Sequence, residues 1–321
     1  MNLHPLWRNH PTLIPALEEV AGHLKTCADE SPAGIREDLS RLLLNPGKML
    51  RPAFALLASS WGPNKEGTTS AAAALELLHM ASLVHDDVLD RASHRRGMPT
   101  LHQTIGIKKA VLAGDYLMAR SMKLAADSYD KNSLYSILES LDRLCSSEID
   151  QDFNIFKMNI DRPRYLERIR GKTAELFGMA CLTGAITGGC DEELRKNLYE
   201  LGICFGMAFQ IEDDMLDYSG NSGRMGKKVG RDLKAGIPTL PLIIALEEGD
   251  SLISHLCRGP FVRIFPQLIR RRVVSQGYVE QAGLIAEAYR EEALRRLDTL
   301  PHSSGSPTFR KLIENLKSRK D

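Results

Sequence analysis

Residues 85–90 read HDDVLD, and residues 212–217 read EDDMLD. Each run sets three aspartates within five residues: Asp86, Asp87 and Asp90, then Asp213, Asp214 and Asp217. On a helix the outer two of each set lie one turn apart on one face, and the middle one is turned away by about 100°. Like charges at that spacing repel by about 0.2–0.5 kcal/mol. A solvated acidic face would account for one such run. Two runs are harder to explain that way, because both are flanked by apolar residues: Leu83, Val84, Val88 and Leu89 around the first, Phe209, Ile211, Met215 and Leu216 around the second. A carboxylate drawn out of water needs a partner. Hard cations supply one, and an all-oxygen donor set suits Mg²⁺, with Mn²⁺ and Ca²⁺ as alternatives. Mg²⁺ takes one or two carboxylates, keeps waters and fills its remaining positions from a phosphate ligand. The acid runs therefore predict a phosphorylated substrate.

Such a substrate needs bases, and the chain has them near the acid runs. Gly47-Lys48-Met49-Leu50-Arg51-Pro52 opens a predicted helix, whose N-terminus itself favours anions. Arg95-Arg96-Gly97 follows the first acid run, Gly171-Lys172-Thr173 interrupts a helical pattern, and Lys227 and Lys228 follow the second acid run. Any one of these alone reads as surface charge; their placement beside the acid runs gives them a joint meaning. Arg270, Arg271 and Arg272 and the LKSRKD tail lack that setting and read as solvated surface. Glu76-Leu77-Leu78-His79 is an E-x-x-H, as in di-iron helical bundles, but those need a second copy and two further glutamates, and no second copy is present. His79 lies about 10 Å before Asp86 on roughly the same helix face.

The elements that must position these groups are helices. Ala73, Leu77, Met80, Val84 and Val88 recur at threes and fours, and similar stripes run through 11–27, 34–44, 108–128, 132–157, 164–186, 192–218, 238–248 and 279–298. Period-two alternation is nearly absent. Glycine and proline cluster only in short joints, so the expectation is one all-α domain spanning 1–321. The 321 residues are 43% apolar, with 42 basic and 41 acidic side chains, a balance that argues against nucleic-acid binding. Six scattered cysteines form no zinc spacing and read as free thiols of a reducing compartment. The start has no apolar signal core and no stretch approaches a membrane span, so the expected location is cytoplasmic.

Taken together, GKMLRP, HDDVLD followed by RRG, GKT, and FQIEDDMLD followed by GKKVGRDLKAGIPTLP resemble the trans-polyprenyl diphosphate synthases, over about 45–243. The resemblance implies an all-α fold with helices around a central cavity, usually a homodimer. It implies Mg²⁺-dependent joining of isopentenyl diphosphate to an allylic diphosphate with release of pyrophosphate. By position, Asp86, Asp90 and Asp213 would hold Mg²⁺, supported by Asp87, Asp214 and Asp217. Arg95, Lys172 and Lys227 would bind the allylic diphosphate. Gly47, Lys48, Arg51, His79 and Arg96 would bind isopentenyl diphosphate. Thr173 and Gln210 would sit near the developing cation and Phe209 near the isopentenyl carbons. Many relatives carry a lysine where this chain has Ile237; either Lys234 substitutes or that contact is absent.

Product length in this family is read along the first acid helix. Ala81 and Ser82 are small where enzymes that stop early carry bulk, and Leu78 and Leu75 lie deeper as weaker stops. The expected product is longer than geranylgeranyl, of the kind used for a quinone side chain. The alternative is that Ala81 and Ser82 merely admit a neighbouring helix and that another helix, near Met118, sets the floor. A terpene cyclase would lack the second acid run and GKMLRP. A non-catalytic partner subunit would lack the acid runs altogether. A catalytic subunit that requires a partner chain remains open on the sequence.

Overall fold

The computed structural model describes residues 3–45, 47–153, 157–219, 230–258 and 261–318. The described residues are almost entirely helical. In chain order the α-helices are α1 (Ile14–Asp29), α2 (Arg36–Leu43), α3 (Leu50–Ala58), α4 (Thr68–Leu89), α5 (Leu101–Ile105), α6 (Ile107–Ser128), α7 (Lys131–Phe153), α8 (Arg162–Ile169), α9 (Glu175–Thr187), α10 (Glu192–Ser219), α11 (Arg231–Ala235) and α12 (Leu240–Glu247), followed by α13 (Ser251–Leu256), α14 (Phe261–Ile264), α15 (Pro266–Ser275), α16 (Tyr278–Thr299) and α17 (Ser306–Glu314). The sheet is a two-stranded antiparallel hairpin, β1 (His94–Arg95) with β2 (Met98–Pro99), set between α4 and α5.

The chain forms two compact units that interleave in sequence. One comprises 1–138, 179–199 and 301–309; the other comprises 139–178, 200–300 and 310–321. In the first unit α4 packs most extensively on α6, then on α3 and α1. Its composition explains why it can be so central. Ala71, Ala72, Ala73 and Ala74 occupy consecutive buried positions, so neighbouring helices approach on every side, while Leu77, Met80, Ala81 and Val84 continue the buried surface toward the first acid run. α1 contributes Leu17, Val20, Leu24 and Ala28, a stripe at threes and fours that is fully buried. In the second unit α12 packs on α16 and α8, and its core includes Tyr165, Phe177, Phe205, Tyr218 and Ile243.

Two local features depart from plain α-helix. Where Gly171-Lys172-Thr173 interrupts the pattern over 164–186, the structure has a π-turn over Arg170–Ala174 that joins α8 to α9 without a break. At Gly171 an added Cβ would lie 2.5 Å from the Cβ of Ser147 on α7, so the turn presses its backbone against a neighbouring helix where no side chain fits. The hairpin was not anticipated, because strands of two residues carry no period. Its tip is Arg96-Gly97, with φ of 50° and 78°, the paired positive values of a type I′ turn. Thr100 Oγ1 donates to the Ala92 carbonyl at 2.6 Å and closes the base.

Candidate active site

In the first unit the three aspartates of 85–90 have three different settings. Asp86 is half-buried and Asp90 exposed at the end of α4, its N–H returning to the Asp86 carbonyl at 2.8 Å. Asp87, turned about 100° away, is buried and accepts from Arg95 Nε at 2.9 and 3.0 Å on its two oxygens. Burial pushes the Asp87 carboxyl up, and the Arg95 guanidinium opposes that shift. The hairpin delivers Arg95 to this pairing.

The next residue goes elsewhere. Arg96 donates from Nη1 to the Asn45 carbonyl at 3.1 Å, and its guanidinium fills the space beside Gly47, where an added Cβ would stand 2.5 Å from Arg96 Cζ. Gly47 has φ +76°, so both its backbone and its missing side chain are needed. The loop is also held from the amino-terminal side: buried Trp7 donates its indole N–H to the Lys48 carbonyl at 2.9 Å.

Arg51, His79 and Glu76 lie together beneath Arg96. Arg51 Nη1 and His79 Nε2 are 3.0 Å apart. Burial, then Arg51, Arg96 and Arg95, hold the imidazole well below its ordinary value, so it is neutral and Nε2 accepts from the guanidinium. Glu76 is 2% exposed; burial raises its carboxyl to about 7, against the pull of Arg51 and then Arg96. An E-x-x-H whose members face two guanidiniums is unsuited to iron, which disposes of the di-iron alternative. A cavity of about 130 Å³ lies against α4, lined by Met80, Leu83, Val84 and Asp87 together with Arg95 and Arg96.

In the second unit the middle aspartate is again the buried one. Asp214 accepts from Tyr165 Oη at 2.7 Å and from Gln210 Nε2 at 2.7 Å. Burial, with the neighbouring Asp232, raises its carboxyl. Asp213 is exposed. Asp217 accepts from the backbone N–H groups of Gly230, Arg231 and Asp232 at 3.1, 3.2 and 3.1 Å, capping α11. Thr173 Oγ1 donates to Gln210 Oε1 at 2.6 Å, and Lys172 pairs with Glu148 on α7 at 2.8 Å. Phe209 joins Phe177 and Phe205 in an aromatic cluster with centroids 5.0–6.0 Å apart. Lys234 is exposed and Ile237 half-buried. Lys227 and Lys228 lie outside the described residues.

The residues expected from the sequence thus gather into an Asp87–Arg95 pair and a Glu76–Arg51–His79 cluster with Arg96 in one unit, and a Thr173–Gln210–Asp214 chain with Lys172 in the other. Tyr165, Glu148 and Trp7 were not singled out from the sequence. None sits in a motif; each meets its partner through a distant stretch of chain.

A model of the polyprenyl synthetase family matches residues 33–258. The chain is 34% identical over 301 residues to the heptaprenyl diphosphate synthase component 2 of Geobacillus stearothermophilus, covering 93% of each chain. It is 32% identical to the octaprenyl diphosphate synthase of Escherichia coli, over 79% of this chain and 80% of that one. Among solved structures, the heptaprenyl diphosphate synthase of Staphylococcus aureus superposes with a TM-score of 0.92 at 29% identity, over 96% of this chain and 99% of that one. The chain belongs to the polyprenyl synthetase family. It is a prenyltransferase, and the family is Mg²⁺-dependent. The donors present in this chain fit that ion. Asp86, Asp90 and Asp213 are hard oxygen donors that reach solvent, and Asp87 and Asp214 are buried beside them in the sequence. Among the described residues no three ligating side chains gather into a cage.

Proposed function

We propose that the chain condenses isopentenyl diphosphate with an allylic diphosphate, farnesyl or geranylgeranyl, and repeats the step to an all-trans polyprenyl diphosphate longer than geranylgeranyl. The observation that carries this reading is the division of labour inside the acid runs. The middle aspartates, Asp87 and Asp214, are buried and bonded to Arg95 and to Tyr165 and Gln210, while Asp86, Asp90 and Asp213 reach solvent and are the proposed Mg²⁺ ligands. Bound Mg²⁺ would neutralise charge on the departing pyrophosphate. Arg95, Lys172 and Lys227 take the allylic diphosphate. Lys172 leaves Glu148 to do so. Gly47, Lys48, Arg51, His79 and Arg96 take isopentenyl diphosphate, and neutral His79 adds orientation without adding charge. The Thr173 hydroxyl and Gln210 carbonyl oxygens stabilise the allylic cation, and the Phe209 cluster keeps water from it. The isopentenyl double bond then attacks, and the proton lost passes to the pyrophosphate. No protein nucleophile is required.

The small side chains at Ala81 and Ser82 support a long product, as do the heptaprenyl and octaprenyl names of similar proteins. A quinone side chain is the matching destination, and the cytoplasm, in a homodimer, the matching setting. A second reading has one specific support: the Geobacillus relative is named a component, so this chain would be a catalytic subunit that works with a partner chain. The test is an assay of the purified protein with isopentenyl diphosphate, farnesyl diphosphate and Mg²⁺, with dephosphorylated products separated by length. A ladder ending beyond geranylgeranyl supports the first reading. A stop at geranylgeranyl overturns the length. No elongation with any primer favours the second reading.

A further inference from the structure

Tyr165 belongs to none of the motifs, yet it ends a chain of short hydrogen bonds that reaches the proposed cation-stabilising oxygens. It lies on α8, fully buried, eight residues before Thr173, which sits in the π-turn. Its hydroxyl donates to Asp214 Oδ2 at 2.7 Å, Gln210 Nε2 donates to Asp214 Oδ1 at 2.7 Å, and Thr173 Oγ1 donates to Gln210 Oε1 at 2.6 Å.

The direction of this chain matters because an amide has two unlike ends. With Gln210 turned over, its carbonyl would face Asp214 Oδ1 and the 2.7 Å hydrogen bond now donated by its N–H would be lost. Thr173 cannot forbid that, because a hydroxyl can either donate or accept. Of the described hydrogen-bond partners of this amide, Asp214 is the one that discriminates the two ends, and it does so while its oxygens stay where Tyr165 holds them. Arg168 strengthens the same corner, its guanidinium 5.4 Å from the Tyr165 ring centroid and donating to the Pro238 carbonyl at 2.6 Å.

We infer that Tyr165 is a positioning residue for the condensation: acting through Asp214, it fixes the Gln210 amide so that carbonyl and hydroxyl oxygens, rather than an N–H, are presented to the allylic cation. The inference rests on the condensation reading above. An N–H turned toward a cation would repel it, and a less stabilised cation is more readily lost to water than to the isopentenyl double bond.

The experiment compares the full-length wild type with Tyr165→Phe, which keeps the ring and removes only the hydroxyl, using isopentenyl diphosphate, farnesyl diphosphate and Mg²⁺. The expected result is a kcat lowered about tenfold, a KM for isopentenyl diphosphate within about twofold of wild type, and a larger share of farnesyl diphosphate released as alcohol. Adding Tyr165→Phe to Gln210→Ala should cost nothing beyond Gln210→Ala alone, since both act through one amide. Wild-type partitioning between elongation and alcohol in Tyr165→Phe overturns the inference, as do losses that multiply in the double variant. A lowered melting temperature with unchanged partitioning marks a structural tyrosine and overturns it equally. A wild type that condenses nothing overturns the condensation reading and this inference with it; a condensing wild type with an indifferent Tyr165→Phe overturns this one alone.

Discussion

The guanidinium of Arg96 stands where a side chain on Gly47 would begin, with Cζ 2.5 Å from the position of an added Cβ. A glycine in a loop and an arginine at the tip of a hairpin, 49 positions later, are therefore a single fitted contact.

Gly47→Ala should expel Arg96 from that place and strain a backbone with φ +76°. We expect a loss of about 1–2 kcal/mol in stability from the backbone and a KM for isopentenyl diphosphate raised about tenfold, with kcat much less affected. Steady-state kinetics beside thermal melting would check it. An unchanged KM would separate Arg96 from that substrate.

Asp213 and Asp217 share one motif but should fail differently. Asp213→Asn touches an exposed carboxylate, so melting should stay near wild type while Mg²⁺-dependent turnover falls by orders of magnitude. Asp217→Ala strips three backbone N–H groups of their acceptor and should cost about 1–3 kcal/mol. Denaturant melts of both variants, with activity titrated against Mg²⁺, would distinguish the roles. Equal melting points would contradict them.

Glu76 should make stability depend on pH in a definite direction. Its carboxyl is raised from 4.5 to about 7 in the folded chain. The folded state therefore holds the proton more tightly, and the contribution is fully present below the unfolded value of 4.5 and lost as pH rises through about 7. The whole effect is about 3 kcal/mol. Glu76→Gln cannot titrate, so the wild type's advantage over it should shrink between pH 5 and pH 8. Urea unfolding of both proteins at the two pH values would show a gap that narrows; a constant gap would refute the shift.

Lys172 and Glu148 are each about a third exposed, at 32% and 29%, so their ion pair adds under about 1 kcal/mol to stability. Its consequence should lie in binding. Glu148→Gln removes the carboxylate with which an allylic diphosphate competes for Lys172, and the KM for that substrate should fall a few-fold while the melting temperature barely moves. A raised KM would show that Glu148 instead holds Lys172 in its working position.

Length control can be probed at two adjacent sites with different room. Ala81 is fully buried, and a phenylalanine there risks overpacking by about 1–3 kcal/mol. Ser82 is half-buried, its hydroxyl donating to the His79 carbonyl at 2.9 Å. Both Ala81→Phe and Ser82→Phe should shorten the product ladder. Unchanged length in two folded variants would move the floor to another helix.

What the sequence disclosed depended on distance along the chain. Helices were legible because apolar stripes repeat within one element, as in Leu17, Val20 and Leu24. The offset of Asp87 and Asp214 from their neighbours follows from helical geometry alone. The different employment of Asp90 and Asp217 does not, since the two hold the same place in their runs. One leads into a hairpin, and the other meets the start of α11 thirteen residues on. Tyr165 reaches Asp214 across 49 positions and Trp7 reaches Lys48 across 41, separations at which no local pattern survives. The π-turn at Arg170–Ala174 was visible only as a glycine out of place.

The hairpin at Arg95 and Arg96 has one more implication, which concerns counting. Arg95 is the last residue of β1 and Arg96 the first of the left-handed turn, so the two neighbours leave the chain from unlike backbones and serve different partners. A residue inserted or deleted between Asp87 and Gly97 would put another side chain into the turn and should disturb the Asp87–Arg95 pair and the Arg96–Gly47 contact in one step.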